Sequence, residues 1–157
     1  FNTYFKKWKK IFYIDCGMRI FKPIQPFLEI DCQNKILANS DAQPKYRWKL
    51  SGQFNPNSYP EVYNQLSQEF KLKVDYFQST ILIYDTNIIK NNTYQDLVDL
   101  LNQYFIGFTN DQAIMNLLFN CKLNIWEQVP FKFNNQMMYD YKKRPGHSHR
   151  DYIMLKI

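Results

Sequence analysis

Between residues 76 and 121 the hydrophobic period of this chain changes twice, and that change narrows the fold class more than any other feature. "YFQSTILIYD", residues 76 to 85, is rich in β-branched and aromatic side chains and reads as a strand with a polar opening. Behind it, Thr93 and Asp96 form a capping pair, and Tyr94, Leu97, Val98, Leu101 and Tyr104 keep the i, i+3, i+4, i+7 spacing of an amphipathic helix. "FTNDQAIMNLLFNC", residues 108 to 121, repeats the device with Thr109 and Gln112 as the cap and Ile114, Leu117, Leu118 and Cys121 as the buried stripe. Strands separated by helices of this kind predict an α/β fold.

The flanking segments extend that pattern. Ile11 to Asp15 reads as a first strand, and the following "MRIFKPIQPFLEI" is held extended or turning by Pro23 and Pro26, with no helix expected. "KILANS", residues 35 to 40, is a second short strand, and residues 41 to 57 read as a long polar loop. Ser58, Pro60 and Glu61 signal a helix start, with Val62, Leu66 and Phe70 on its inner face. "LNIWEQVPF" and "DYIMLKI" complete the strands, with an irregular Tyr-rich, basic segment between them that runs to Gly146. A chain of 157 residues supports one domain with a real core.

Composition excludes more than it selects. The three cysteines, Cys16, Cys32 and Cys121, form no CxxC pair and have no histidine at ligand spacing, which argues against a zinc site or a disulfide scaffold and fits a reducing, cytoplasmic setting. No run of about 18 apolar residues suggests a membrane span. Net charge is +6, a surplus that suits phosphate-bearing ligands, acidic surfaces or nucleic acid without choosing among them. The densest basic run, "KKWKK" at residues 6 to 10, reads as the solvated end of a helix, with a phosphate or nucleic-acid patch as the alternative.

Two acids stand where chemistry is expected. Asp15 ends the first strand, and the carboxyl edge of an α/β sheet is where such folds bind ligands; its bland alternative is a turn residue ahead of Gly17. Asp111 and Gln112 open the third helix, where the helix dipole and a capping box already favour them without a ligand. Gln78 and Ser79 are polar interruptions in an apolar strand and therefore need partners.

Taken in order, "FYIDCGMRIFKPIQPF", "YFQSTILIYD" and "FTNDQAIMNLLF" resemble the family-eight glycosyltransferases, the glycogenin and bacterial galactosyltransferase group. That family carries an aromatic strand ending in Asp-x-Asp, then "KPI" or "KPL", a "YFNSG-LLI" strand and an "F-x-DQD-x-LN" helix start. The likeness spans most of residues 8 to 134. It implies a GT-A fold with a mixed sheet flanked by helices, and a UDP-sugar donor whose sugar passes, with retention, to a glycan or protein hydroxyl.

The resemblance also assigns residues. Asp15 matches the first metal acid of Asp-x-Asp, holding Mn or Mg against the diphosphate. Asp111 and Gln112 match the pair near the donor sugar, and Gln78 and Ser79 match substrate-binding positions of the strand. The family's late metal histidine has two candidates, His147 and His149 in "GHSHR", a segment that otherwise reads as a partly charged surface loop.

Three departures stand out. Gly17 occupies the place of the second acid, and Thr80 replaces the usual glycine of the strand motif. Only 14 residues precede Asp15, where the family places a nucleotide-binding βαβ unit, so residues 1–157 read as one glycosyltransferase-like domain from a longer chain. A noncatalytic, degenerate binding or assembly module is the competing reading. A nucleic-acid binder is a weaker third, because the aromatics follow core spacing.

Overall fold

The structure, a computed structural model, describes residues 1–41, 48–129, 139–140, 146 and 148–156. Its main sheet has the strand order β1-β4-β3-β5, built from β1 (Lys10–Ile14), β4 (Ile81–Asp85), β3 (Ile36–Ala38) and β5 (Trp126–Gln128). The pairs β1/β4 and β3/β4 are antiparallel and β3/β5 is parallel, so the sheet is mixed, as the family resemblance implies. A smaller sheet pairs β2 (Met18–Ile20) with β7 (Met154–Lys156) and β7 with β6 (Tyr139–Asp140).

The central strand explains the layering. Every residue of β4 is buried, and successive side chains of a strand point to opposite faces. Leu82 and Tyr84 enter one core with Ile36 and Ala38 of β3, while Ile81 and Ile83 enter a second core with Leu37. Against the first face lie α2 (Pro60–Glu69), α3 (Thr93–Gln103) and α4 (Asn110–Met115), which contribute Leu66, Leu100 and Ile114. Against the second lie Phe27, Ile30, Cys32, Ile153 and Met154, from the segment around α1 (Gln25–Leu28) and from the small sheet.

Local departures from the sequence reading have physical causes. The segment read as extended forms one helical turn, α1, because Pro26 occupies its first turn, where a missing N–H costs nothing. The strand expected over 76–85 begins only at Ile81, since residues 77 to 79 give their hydrogen bonds to other elements. On α3 the buried face is Thr93, Leu97, Leu100 and Tyr104, while Tyr94 and Leu101 are exposed, a rotation of about one residue from the expected stripe. Helix α4 is buried from Gln112 onward and runs into a π-helical stretch, Asn116–Lys122, where the Leu123 N–H reaches back five residues to the Leu118 carbonyl at 2.9 Å.

Candidate functional site

The pairing register gathers the chemistry-bearing residues on one rim. β1 ends at Ile14 opposite Ile81, and the ladder continues with the Asp15 N–H donating to the Thr80 carbonyl at 2.8 Å. β3 runs antiparallel to β4, so its carboxyl end, Asn39 to Asp41, reaches the same rim: the Gln78 N–H donates to the Asn39 carbonyl at 2.8 Å, and Ser40 bridges Phe77. Asp15, Asp41 and Ser79–Thr80 therefore stand together at the carboxyl ends of β1 and β3, where open α/β sheets bind ligands.

Helix α4 is joined to this rim by its second residue of interest, Gln112. Its side-chain carbonyl accepts the Ser79 N–H at 3.0 Å. Its side-chain amide donates to Gln53 Oε1 at 3.1 Å and makes a long 3.5 Å contact with Asp41 Oδ2. Gln53 also accepts from the Thr109 hydroxyl at 2.6 Å and donates to the Tyr76 hydroxyl at 3.0 Å, and that hydroxyl donates to Asp41 Oδ2 at 2.8 Å. Burial, reinforced by the Asp41 carboxylate, drives the Tyr76 phenol well above its usual range, so it remains a neutral donor to Asp41.

This arrangement replaces the expected capping box. Thr109 makes no side-chain bond to the helix backbone; its hydroxyl and the Gln112 side chain both serve the network instead. Gln112 uses both amide hydrogens, and among the described residues its carbonyl accepts one hydrogen bond, from Ser79. Asp111 beside it is exposed. One turn further along, the wholly buried Asn116 accepts the Phe77 N–H and donates to the carbonyls of Phe77 and Gln112, each at 2.9 Å. It thereby clips the residues before β4 to α4. At Gly107, just ahead of the helix, an added Cβ would stand 3.3 Å from that of Ala113, a close approach that suits glycine.

Of the residues singled out from sequence, Asp15, Gln78, Ser79 and Gln112 are brought to one rim by bonds of the backbone and of Gln112, while Asp111 is the exposed neighbour of Gln112 in the chain. His149 lies elsewhere: it stacks on Phe21 at 5.6 Å, beyond the end of β2 away from the Asp15 turn. His147 lies outside the described residues. Gly17 offers no side-chain ligand, and among the described residues no three His, Cys, Asp or Glu side chains are grouped to hold a cation. The donor set does not by itself fit a divalent ion. Sequence reading passed over Asp41, Gln53, Tyr76 and Asn116. Asp41 carried one usable signal, an acid following a short apolar strand, as Asp15 does.

The decisive comparison concerns sequence. A model of glycosyl transferase family 8 matches residues 1–155, nearly the whole chain. The chain belongs to this family. Among solved structures, it resembles the galactosyltransferase LgtC in complex with donor and acceptor sugar analogs, with a TM-score of 0.53 and 16% identity over 80% of this chain and 40% of that one. An active-site mutant of LgtC gives 0.54 and 15% over 95% and 52%, and the apo bifunctional glycosyltransferase WbbM gives 0.50 and 16% over 85% and 23%. No curated protein matches the chain. The family-8 chain thus shares the fold of these GT-A-like proteins and spans about half or less of their length. Among the described residues no helix is long and apolar enough to cross a membrane.

Proposed function

We propose that this family-8 chain forms the sugar-handling part of a retaining glycosyltransferase that uses a UDP-sugar donor, with the rim between Asp15 and Asp111 as its crevice. The observation that carries the reading is the linkage of Asp15 to Thr80 and of Ser79 to Gln112, which sets the strand-end acid beside the start of α4. In this reading the donor sugar lies over Ser79 and Gln112. As the bond to the diphosphate lengthens, positive charge grows at the anomeric carbon, and the carboxylates of Asp41 and Asp111 on the rim favour it. The Gln112 carbonyl, which has two lone pairs, accepts a sugar hydroxyl beside the Ser79 N–H, while its amide, held by Gln53, fixes where that oxygen points. The acceptor is a glycan or protein hydroxyl.

A divalent cation would find one ligand of the expected pair, Asp15. The competing noncatalytic reading draws on the same fact, the glycine at position 17. Incubation with a panel of UDP-sugars, with and without Mn, separates the two: released UDP that disappears in D15N and D111N supports transfer. No release, with UDP-sugar still bound, supports a binding module.

A further inference from the structure

Among the described residues eight polar or charged residues are buried, and six of them have hydrogen-bonded side chains. Gln53 and Gln112 bond each other, Asn116 holds Phe77 and Gln112, and Asp85, Thr86 and Thr93 engage backbone groups. The other two are Gln78 and Thr80, 9% and 4% exposed, whose side chains make no hydrogen bond among the described residues. We propose that these two form a polar subsite that selects the donor sugar by its hydroxyl groups, with Thr80 as a specificity contact where the family carries glycine. This inference rests on the donor crevice proposed above.

The two orphans are not scattered. They flank Ser79, whose N–H is held by Gln112, and the main chain on either side is fixed: the Gln78 N–H donates to the Asn39 carbonyl and the Thr80 carbonyl accepts the Asp15 N–H, each at 2.8 Å. A buried polar group without a partner costs stability, and folded chains keep few of them. Packing alone calls for neither residue, since valine has the shape of threonine and leucine fills much of the space of glutamine. Two such groups on one rim, in a fold whose other buried polar residues are satisfied, mark a place that a ligand completes.

The chemistry of the pair fits a sugar. The Gln78 amide offers two donors and an acceptor oxygen, and the Thr80 hydroxyl both gives and takes a hydrogen bond. Sugar hydroxyls also give and take, so they can satisfy the pair in both senses. A diphosphate only accepts, and would leave the Gln78 carbonyl without a donor. In the "YFNSG" strand of the family these positions hold asparagine and glycine, so the hydroxyl at position 80 is an addition in this chain. A ligand hydroxyl that completes buried polar groups is selected strongly, because an analogue without it leaves them unpaired.

The test uses the 15N-labelled protein with UDP-glucose, UDP-galactose and UDP alone. The side-chain amide signals of Gln78, assigned by their loss in Q78L, are expected to shift with at least one UDP-sugar and to stay in place with UDP. T80V and Q78L are each expected to weaken binding of that donor about tenfold, the worth of one hydrogen bond. T80V is also expected to keep or raise the urea midpoint, because it removes an orphaned hydroxyl and keeps the shape. A clear drop in that midpoint would show that the hydroxyl already serves the fold, and overturns the proposal. So does donor binding that either folded variant retains in full, which leaves the crevice standing without this subsite. Equal shifts with UDP would assign the pair to the nucleotide, against the proposal. A parent protein whose rim amides respond to neither UDP-sugar sinks the crevice and the subsite together.

Discussion

The side-chain carbonyl of Gln112 accepts the backbone N–H of Ser79 at 3.0 Å, and through this bond α4 is fastened to the approach to the central strand. A residue that reads from sequence as a helix cap is a joint between two elements 33 residues apart. Replacing it tests the joint directly. Q112A leaves the Ser79 N–H and one acceptor of Gln53 short of partners, and the expected loss is about 1–3 kcal/mol in urea denaturation. Q112E keeps the acceptor for Ser79 but turns a second oxygen toward Gln53 Oε1 and Asp41 Oδ2. That surrounding disfavours the charged form, so the new carboxyl titrates above its unfolded value in the folded state. The stability deficit of Q112E is therefore expected to be large at neutral pH and to shrink as pH falls through the carboxylate range.

Asn116 offers a sharper case, because it both accepts and donates. N116D still accepts from the Phe77 N–H but sets a carboxylate against the carbonyls of Phe77 and Gln112, its two present acceptors. Both N116A and N116D are expected to lose at least about 2 kcal/mol by chemical denaturation, within the range for orphaned buried polar groups. N116D should recover part of that loss at acid pH and N116A none. Equal behaviour of the two across pH would contradict the clip.

Asp85 controls acid stability at the opposite end of β4. Burial pushes its carboxyl upward, but hydrogen bonds from the Asn34 and Asn87 N–H groups and the Asn87 side chain, with the charge of Lys9, outweigh this and hold it below the usual carboxylate value. A pKa lowered in the folded state stabilises the protein above the unfolded value, and the gain is lost as pH falls through the folded one. Thermal unfolding followed from neutral to acid pH is expected to show this decline in the parent protein and a flatter profile in D85N.

Local pattern made the central strand and the existence of three helices readable, since a short run such as "ILIYD", rich in β-branched and aromatic residues, suits a strand buried on both faces. The rotation of α3 was not readable. Tyr94 and Leu101 match the helical stripe as well as Thr93 and Leu100 do, and only packing against the sheet chooses between them. The rim divides the same way. Asp15, Asp111 and Gln112 were visible because each sits at an element boundary, whereas Asp41, Tyr76 and Gln53 join the site through bonds spanning 23 to 71 residues. Among the described residues no group of three His, Cys, Asp or Glu supplies the second metal acid. Gly17 is what the sequence has there.

Nuclear magnetic resonance of the 15N-labelled protein, titrated with a UDP-sugar, tests the central claim without requiring turnover. The amides of Asp15, Ser79, Thr80, Asp111 and Gln112 are expected to shift together and to saturate with one dissociation constant, with the shifts lost in D15N. Shifts confined to the opposite end of the sheet, around Lys10 and Asp85, or none at all up to millimolar ligand, would contradict a donor crevice at this rim.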